Sequence, residues 1–339
     1  MDDDADLRAC RDTLRGGSRS FLAAARLLPA RVHRPATALY AFCRAADDLI
    51  DNDPGGAPAA LAVLHRRLDG IYAGHPADDP ADRALSRVVA RHRLPRALLD
   101  AMLDGFAWDA EGRRYPDLPA LEEYAARVAG TVGAAMAVLM GARTPDLVAR
   151  ACDLGIAMQL SNIARDVGED ARAGRLYLPL SWLREAGIDP GAFLAAPAHS
   201  PAIAGVVRRL LAEAETLYAR ADAGIAALPL ACRPGITIAR RLYADIGREV
   251  ARNGWDSVGK RAHVGAARKV ALAGASVLGS PFPLRRTGAA LPTLPAARFL
   301  VFAVASAPPL PQPRAGRLEQ RVSWLVTLFM ELDGRRVQN

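Results

Sequence analysis

The chain has 339 residues, of which 51% are hydrophobic and 24% charged, and this ordinary globular balance excludes a largely disordered or fibrous protein. Its formal net charge is +8, and all 44 cationic residues except Lys260 and Lys269 are arginine. The arginines are scattered along the chain without interleaved aromatic residues, which excludes nucleic acid as the expected partner and favours diphosphates or an anionic membrane surface.

The N-terminus, MDDDADLRAC, is acidic where a secretion signal would be basic and then apolar. No run of the sequence reaches the ~18 to 20 apolar residues that a membrane-spanning helix needs. We therefore expect a cytoplasmic protein, and peripheral contact with the inner face of the cell membrane stays open. Cys10, Cys43, Cys152 and Cys232 lack metal-ligand or disulfide spacing, so we expect reduced, buried thiols.

The order of elements along the chain predicts a nearly all-α protein, because alanine and leucine dominate and the apolar residues recur at helical spacing. Breaks rich in proline and glycine separate segments of helical length, at residues 54–58, 74–80, 111–119, 141–145, 174–180, 188–191 and 228–235. We expect residues 1–275 to form one domain. Residues 276–339 are a proline-rich segment and a final amphipathic helix, whose stripe we expect to pack on the bundle: Val322, Leu325, Leu328, Phe329 and Leu332.

The first segment with a candidate site is TALYAFCRAADDLIDND, residues 37–53. Four polar residues recur there at i, i+4, i+7 and i+11 and so share one face of a helix: Tyr40, Arg44, Asp47 and Asp51. The rest of the circumference is mostly apolar, which sets the acids against a largely buried helix. An amphipathic surface helix explains this stripe alone equally well.

The second segment, LVARACDLGIAMQLSNIARDVGED at residues 147–170, is apolar almost all round before its end, which is typical of an interior helix. Gln159, Asn162, Asp166 and Asp170 recur on it at i, i+3, i+7 and i+11. Unpaired polar groups are costly to bury, at ~1 to 3 kcal/mol each, so we expect these residues to line a cavity. Either aspartate pair alone is a weak signal, but two D-x-x-x-D pairs suggest carboxylates that face each other across one pocket.

Facing carboxylates need a compensating charge. Two of them 5 to 6 Å apart repel by roughly 3 kcal/mol at an effective dielectric near 20. Hard divalent cations offset this repulsion, and magnesium often completes its shell with substrate phosphates. The pattern therefore predicts metal-assisted departure of a diphosphate, with apolar walls that exclude water from the carbocation left behind.

With these residues the chain resembles the squalene and phytoene synthase family and, within it, the bacterial members that form phytoene. The resemblance runs from about residue 7 to residue 275. It rests on GSRSF (17–21), LYAFCRAADDLID (39–51), DGFAWDAEGRRY (104–115), YAARVAGTVG (124–133), QLSNIARDVGEDARAGRLYLP (159–179) and LYADIGREV (242–250). The long motif around Asn162 and Asp166 is the most specific of these.

The resemblance implies a single-domain isoprenoid-synthase bundle around a central apolar cavity. It implies magnesium, or manganese in its place, bound by Asp47, Asp51, Asn162, Asp166 and Asp170. It also implies a set of substrate contacts: Ser18, Ser20, Phe21, Tyr40, Arg44, Gln159, Asn162, Arg165 and Arg261. Three simpler roles stay open: Arg44 and Arg165 as partners of Asp48 and Glu169 in helix ion pairs, Ser18 as a helix cap, and Lys260 in place of Arg261.

The implied reaction is the head-to-head condensation of two geranylgeranyl diphosphates, through a cyclopropylcarbinyl diphosphate, to phytoene in carotenoid biosynthesis. The last proton goes to the released diphosphate or to a tyrosine such as Tyr243. No G-x-G-x-x-G fingerprint follows a predicted strand, so we expect no NADPH. None of the six histidines recurs at metal-ligand spacing.

Other functions are compatible with parts of this pattern. A relative that uses farnesyl diphosphate would form squalene, dehydrosqualene or hydroxysqualene with the same motifs. A non-catalytic assembly factor would be expected to lose its aspartates, and both pairs are intact here. Metal-dependent diphosphate hydrolysis is disfavoured by the apolar cavity walls. The sequence says nothing about the oligomeric state.

Overall fold

The computed structural model describes residues 3–16, 27–52, 56–265, 267–269, 271–272 and 291–308. Every regular element in these ranges is helical and none is a strand, so the predicted all-α fold is confirmed. The main helices in chain order are α1 (Asp3–Gly16), α2 (Ala30–Asn52), α3 (Gly56–Ala73), α4 (Pro80–His92), α5 (Arg96–Ala110), α6 (Leu118–Ala125), α7 (Thr131–Leu139), α8 (Pro145–Arg172), α9 (Leu180–Glu185), α10 (Pro190–Ala195), α11 (Pro201–Ala227), α12 (Arg233–Arg252) and α13 (Arg298–Ala305).

Several helices begin where a capping side chain precedes a proline, and those at Pro80 and Pro190 begin within predicted breaks. Asp79 accepts hydrogen bonds from the backbone N–H groups of Ala81 and Asp82 at 2.8 and 3.2 Å, and Pro80 opens α4. The same arrangement starts α10 after Asp189 and α11 after Ser200. Proline suits the first helical turn because its missing N–H would have no intrahelical partner there.

Helix α8 is the centre of the bundle. It is 28 residues long and packs against α7, α11, α12 and α13. A π-helical turn, Ala126–Gly130, joins α6 to α7, and it lies directly on α8. This contact requires Gly155, because a Cβ there would lie 2.2 Å from the carbonyl oxygen of Ala129.

A buried ion network joins α8, α11 and the segment that begins at residue 291. Asp153 is fully buried, and Arg220 Nε donates a hydrogen bond to its Oδ2 at 3.0 Å. Arg150 Nε lies 3.3 Å from the same oxygen. Both arginines also donate to the backbone carbonyl of Pro292, at 3.2 Å from Arg150 and 2.7 Å from Arg220. The network fixes one end of α8.

Residues 291–307 belong to the same compact unit as the helices before them. Leu300 of α13 is fully buried and lies beside the position that a Cβ of Gly130 would take. The predicted stripe at Val322–Leu332 falls outside the described residues, so its docking stays a prediction, as does the domain boundary at residue 275. Within the described ranges no helix is long and apolar enough to cross a membrane.

Candidate active site

A cavity of about 220 Å³ runs along α8 between α7, α11 and α12. Its walls are mainly apolar side chains, among them Val132, Met136, Leu154, Met158 and Ile236. Two residues of the second polar stripe, Gln159 and Asn162, belong to the lining together with Tyr243 of α12, whereas Asp166 and Asp170 are not among the lining residues. The Asn162 side-chain amide lies 3.5 Å from the Gln159 carbonyl oxygen.

The cavity has a polar end and a mainly apolar end. Helices α8 and α11 run antiparallel, because Ser161 Oγ lies 2.9 Å from the Tyr218 hydroxyl whereas Gly224 packs on Arg150. Gln159 and Asn162 therefore mark one end of the lining. The lining residues Leu147 and Leu228 mark the other end, where the buried side chain of Arg150 also lines the cavity.

Asp166 follows the polar end by one helical turn and binds two arginines. Arg165 Nε donates a hydrogen bond to it at 2.8 Å, and Arg261 Nε donates to the same oxygen at 2.9 Å. Arg261 Nε also lies 3.1 Å from Glu169 Oε2. Arg165 is therefore paired with Asp166, and the alternative of a helix pair with Glu169 is not what the structure shows. Of Lys260 and Arg261, it is the arginine that reaches the aspartate.

Arg261 is positioned by a loop that follows α12 and docks on the outside of α8. The backbone N–H of Gly168 donates to the Ser257 carbonyl at 2.9 Å, and Arg172 donates to the Val258 carbonyl at 2.6 Å. A Cβ at Gly168 would lie 2.3 Å from that Val258 oxygen. Glycine at this position thus allows the loop to bring its arginine to the second aspartate pair.

The electrostatics of Asp170 differ from those of an ordinary surface carboxylate. Burial and the neighbouring Asp166 raise its pKa to about 7, Arg175 opposes the shift, and Glu169 and Asp109 add to it. The carboxylate is thus surrounded mainly by other anions in a partly buried site. A cation placed there would relieve the repulsion.

The first stripe lies on α2, which is one continuous helix as predicted. Arg44 donates hydrogen bonds to Asp47 Oδ2 and Asp48 Oδ2, both at 3.1 Å, so the helix ion pair considered for Arg44 is present. Tyr40 is half-buried and, among the described residues, is not part of the cavity lining. The Asp51 side chain and the residues Ser18, Ser20 and Phe21 lie outside the described parts, so their roles stay predictions.

A cluster of three tyrosines beside the second pair has no role in the sequence-based site. Tyr124 and Tyr177 donate hydrogen bonds to the two oxygens of Asp109, at 2.6 and 2.7 Å. The Tyr115 ring packs on both phenols, with centroids 5.2 and 6.2 Å away. Asp109 is near enough to act on the pKa of Asp170. The only sequence signal was that these residues fall in the motifs DGFAWDAEGRRY, YAARVAGTVG and GRLYLP.

A model of the squalene/phytoene synthase family matches residues 14–268 of this chain. The chain belongs to the squalene/phytoene synthase family. Two relatives from this family are called phytoene synthase. That of Rhodobacter capsulatus is 54% identical over 81% of this chain and 82% of its own, and that of Cereibacter sphaeroides is 50% identical over 96% and 94%.

A solved structure of a dehydrosqualene synthase in complex with a ligand has the same fold as this squalene/phytoene synthase family member. It matches with a TM-score of 0.72 and 33% identity, and the match covers 81% of this chain and 96% of the other. The expected isoprenoid-synthase bundle is thereby confirmed.

The donor set of this family member suits a hard divalent cation. Carboxylates on α2 and α8 and the amide oxygen of Asn162 are the oxygen ligands that magnesium prefers. The raised pKa of Asp170 is the observation that favours a cation, because burial first and the neighbouring acids second disfavour the ionised carboxylate there. Among the side chains that the structure describes, which do not include that of Asp51, no group of three or more histidine, cysteine or acidic residues forms a ready metal cage. The convergence of both pairs on one metal cluster stays a prediction.

Proposed function

We propose that this protein condenses two molecules of geranylgeranyl diphosphate head to head, through a cyclopropylcarbinyl diphosphate, to phytoene in carotenoid biosynthesis. The observation that carries the proposal is the 50 to 54% identity to two phytoene synthases over most of the chain. A mainly apolar cavity, with Gln159, Asn162 and Tyr243 towards the aspartate end, supports it, because the substrates combine a long hydrocarbon with a diphosphate at one end.

The first part of this proposal is the binding of metal and diphosphate by the aspartates and their neighbours. Asp47, Asp51, Asp166 and Asp170, with Asn162, would hold magnesium or manganese, which when bound supplies positive charge to the departing diphosphate oxygens. Arg44, Arg165 and Arg261 lie against the described aspartates and offer forked N–H donors that match diphosphate oxygens. Ser18, Ser20 and Phe21 would complete the substrate contacts from the segment before α2.

The second part of the proposal is the reaction of the carbocations inside the cavity. Loss of diphosphate from the first substrate leaves an allylic cation, the double bond of the second substrate attacks it, and a proton is lost as the cyclopropane closes. The second diphosphate then leaves, the cation rearranges, and loss of another proton forms the central double bond. Apolar side chains exclude water from both cations. Gln159, Asn162 and Tyr243 lie at the polar end, and Tyr243 or the released diphosphate would accept the last proton.

A second candidate is a reaction of the same kind with farnesyl diphosphate and a 30-carbon product. It is favoured by one observation, the 33% identity to a dehydrosqualene synthase structure. The two reactions share the aspartates and differ in the length of hydrocarbon that the cavity accepts.

Product analysis separates these candidates. We expect purified protein with magnesium and geranylgeranyl diphosphate in detergent to form phytoene, and we expect NADPH to change neither rate nor product. Chelation should stop the reaction and added magnesium should restore it. A preference for farnesyl diphosphate, or release of only the prenyl alcohol, would overturn the proposal.

We also propose that the protein works at the cytoplasmic surface of the membrane as a peripheral protein. Its product is a hydrocarbon of about 40 carbons with no polar group, and each buried CH₂ favours an apolar phase by roughly 0.8 kcal/mol. Such a product requires a bilayer or another apolar acceptor as its destination.

A further inference from the structure

The loop that carries Arg261 begins after the C-terminal end of α12 and crosses to α8. The Val258 carbonyl accepts a hydrogen bond from Arg172 at 2.6 Å, and the Ser257 carbonyl accepts one from the backbone of α8 at 2.9 Å. We call residues 256–265 the Arg261 loop. Its N-terminal side is thus attached to α8 by two hydrogen bonds.

The chain that follows the Arg261 loop is attached to α12 by an ion pair. Asp245 of α12 is fully buried, and Arg268 donates hydrogen bonds to its two carboxylate oxygens from Nε and Nη2, at 3.0 and 2.9 Å. Such a forked pair fixes the relative orientation of both groups. Arg248, on the next turn of α12, donates to the same carboxylate at 3.1 Å. We call the pair of Asp245 and Arg268 the clasp.

Apolar contacts lie beside the clasp on the same face of α12. Leu272 packs with Ile238 and Leu242 in a small buried cluster. Ile238, Leu242 and Asp245 recur at i, i+4 and i+7, which is the spacing of residues on one helix face. The chain after the Arg261 loop is therefore attached to α12 by polar and apolar contacts together.

The Arg261 side chain itself is not enclosed by the bundle, since 45% of it is exposed. Val258 and Ala262 are buried on either side of it, but an alanine side chain contributes little apolar area. None of the described residues from 263 to 269 is buried. The position of the guanidinium beside the second aspartate pair therefore depends on how the loop is attached at its two ends.

We propose that Asp245 and Arg268 are positioning residues, which keep the Arg261 guanidinium at the second aspartate pair, where it binds substrate diphosphate. This inference rests on the proposed function, in which Arg261 is a diphosphate contact. The clasp acts through the loop and not on the substrate: Tyr243 lines the cavity, whereas Asp245, about 200° further round α12, does not. A cation that is held in place before the substrate arrives loses less conformational entropy when it binds.

A double-mutant cycle with Arg261 tests the clasp. Two constants of the full chain would be measured: the Michaelis constant for geranylgeranyl diphosphate in detergent, and the dissociation constant of inorganic diphosphate with magnesium, by calorimetry. Arg261→Gln should raise both about thirtyfold, because it removes a charge-assisted contact. Arg268→Gln should raise both about tenfold, because a misplaced guanidinium keeps only part of that contact. Beside Arg261→Gln it should have no further effect, since no guanidinium is left to position.

The matched control is Arg248→Gln, which removes the other arginine from Asp245 and leaves the clasp paired. Its side chain is half exposed, so loss of its charge should change both constants by less than about twofold. Equal losses in Arg248→Gln and Arg268→Gln would overturn the proposal, because they would report charge and not position. So would an effect of Arg268→Gln that persists beside Arg261→Gln.

A second variant covers the case in which Arg268→Gln does not fold, since it removes a partner from a buried carboxylate. Arg268→Lys keeps the charge but cannot form both parallel hydrogen bonds. It should still raise both constants about threefold, and again only where Arg261 is present. Urea unfolding of each variant would show that the binding measurements are made on folded protein.

Phytoene formation separates this inference from the proposed function. A wild-type protein that binds inorganic diphosphate and forms no phytoene overturns the proposed function, and the binding cycle then still tests the clasp. A wild-type protein that forms phytoene, while Arg268→Gln leaves both constants unchanged, overturns the role of the clasp alone. A wild-type protein that binds neither geranylgeranyl diphosphate nor inorganic diphosphate overturns both.

Discussion

The two ends of α8 bury carboxylates in opposite surroundings. Asp153, in the N-terminal half, is fully buried, and burial raises its pKa, but Arg150 and Arg220 oppose that shift. Asp170, at the C-terminal end, has mainly anions around it, and its pKa is raised to about 7. On one helix, arginines of the protein thus offset the charge of Asp153. The charge of Asp170 has mainly acidic neighbours, and a bound cation would be needed to offset it.

This difference indicates a structural role for Asp153 and a ligand-binding role for the site at Asp170. At Asp153, two arginines that also bind the carbonyl of Pro292 offset the charge of the acid. The site at Asp170 combines repelling carboxylates with arginines at the partly exposed surface, and such groups can exchange partners. Substitutions at the two ends should therefore affect different properties.

The largest effect is expected from Asp166→Asn. It removes a negative charge from the ligand end, and we expect a loss of activity of about 10³-fold or more, because the charge that would hold the metal is halved on this helix. Phytoene formation in detergent measures it. The fold should survive, as judged by circular dichroism. Asp146→Asn, at an exposed position of the same helix, should keep wild-type activity, and full activity of Asp166→Asn would refute the metal role.

The opposite change, Asp153→Asn, should act on stability. Removal of this acid leaves Arg150 and Arg220 without their buried counter-ion, and we expect the free energy of unfolding to fall by about 3 kcal/mol. Urea unfolding measures it. Glu185→Gln, which breaks the exposed pair with Arg209, should change stability by less than about 1 kcal/mol. Equal effects of the two variants would remove the distinction drawn for Asp153.

Glu122, whose pKa is influenced by Asp153, allows a further test through the pH dependence of stability. Burial raises its pKa from 4.5 to about 7, Glu213 and Asp153 add to the shift, and Arg220 opposes it. Because the folded state disfavours the ionised form, this carboxyl lowers wild-type stability as the pH rises from about 4.5 to 7. We expect Glu122→Gln to be more stable than wild type by about 2 kcal/mol at pH 8 and equal to it below pH 4.5. Urea midpoints across this range measure it, and a difference that is independent of pH would contradict it.

The smallest effect is expected midway along α8, where Tyr218 meets Ser161. Tyr218→Phe removes one buried hydrogen bond, but Ser161 Oγ also donates to the Ala157 carbonyl at 2.9 Å and keeps that partner. We expect a loss of about 1 kcal/mol in the free energy of unfolding. A loss as large as that of Asp153→Asn would mean that this hydroxyl pair belongs to a network like the one at Asp153.

Local patterns predicted much of the fold. Predicted breaks that contain Asp-Pro, at Asp79-Pro80 and Asp189-Pro190, coincide with helix starts because the effect of a cap and a proline is confined to one turn. Helical spacing likewise placed Gln159 and Asn162 on the cavity wall, since the period of a helix fixes which residues share a face.

Partners that are distant along the chain could not be predicted. Arg150 and Asp153 sit in a stretch that the sequence suggests is almost wholly apolar, and their partners Pro292 and Arg220 are 142 and 67 residues away. Asp109 is equally remote from Tyr177, by 68 residues. No local spacing encodes such pairs, because they form only when several helices have packed.

The four cysteines of the bundle have a practical consequence. None forms a disulfide, and burial is the first cause that raises the pKa of each thiol, to about 11 for Cys10 and about 12 for Cys43. Thiols react as thiolates, so a maleimide should label the folded protein slowly at neutral pH. The labelling rate of each cysteine would then measure how often its own part of the bundle opens: α1 at Cys10, α2 at Cys43, α8 at Cys152 and the turn before α12 at Cys232.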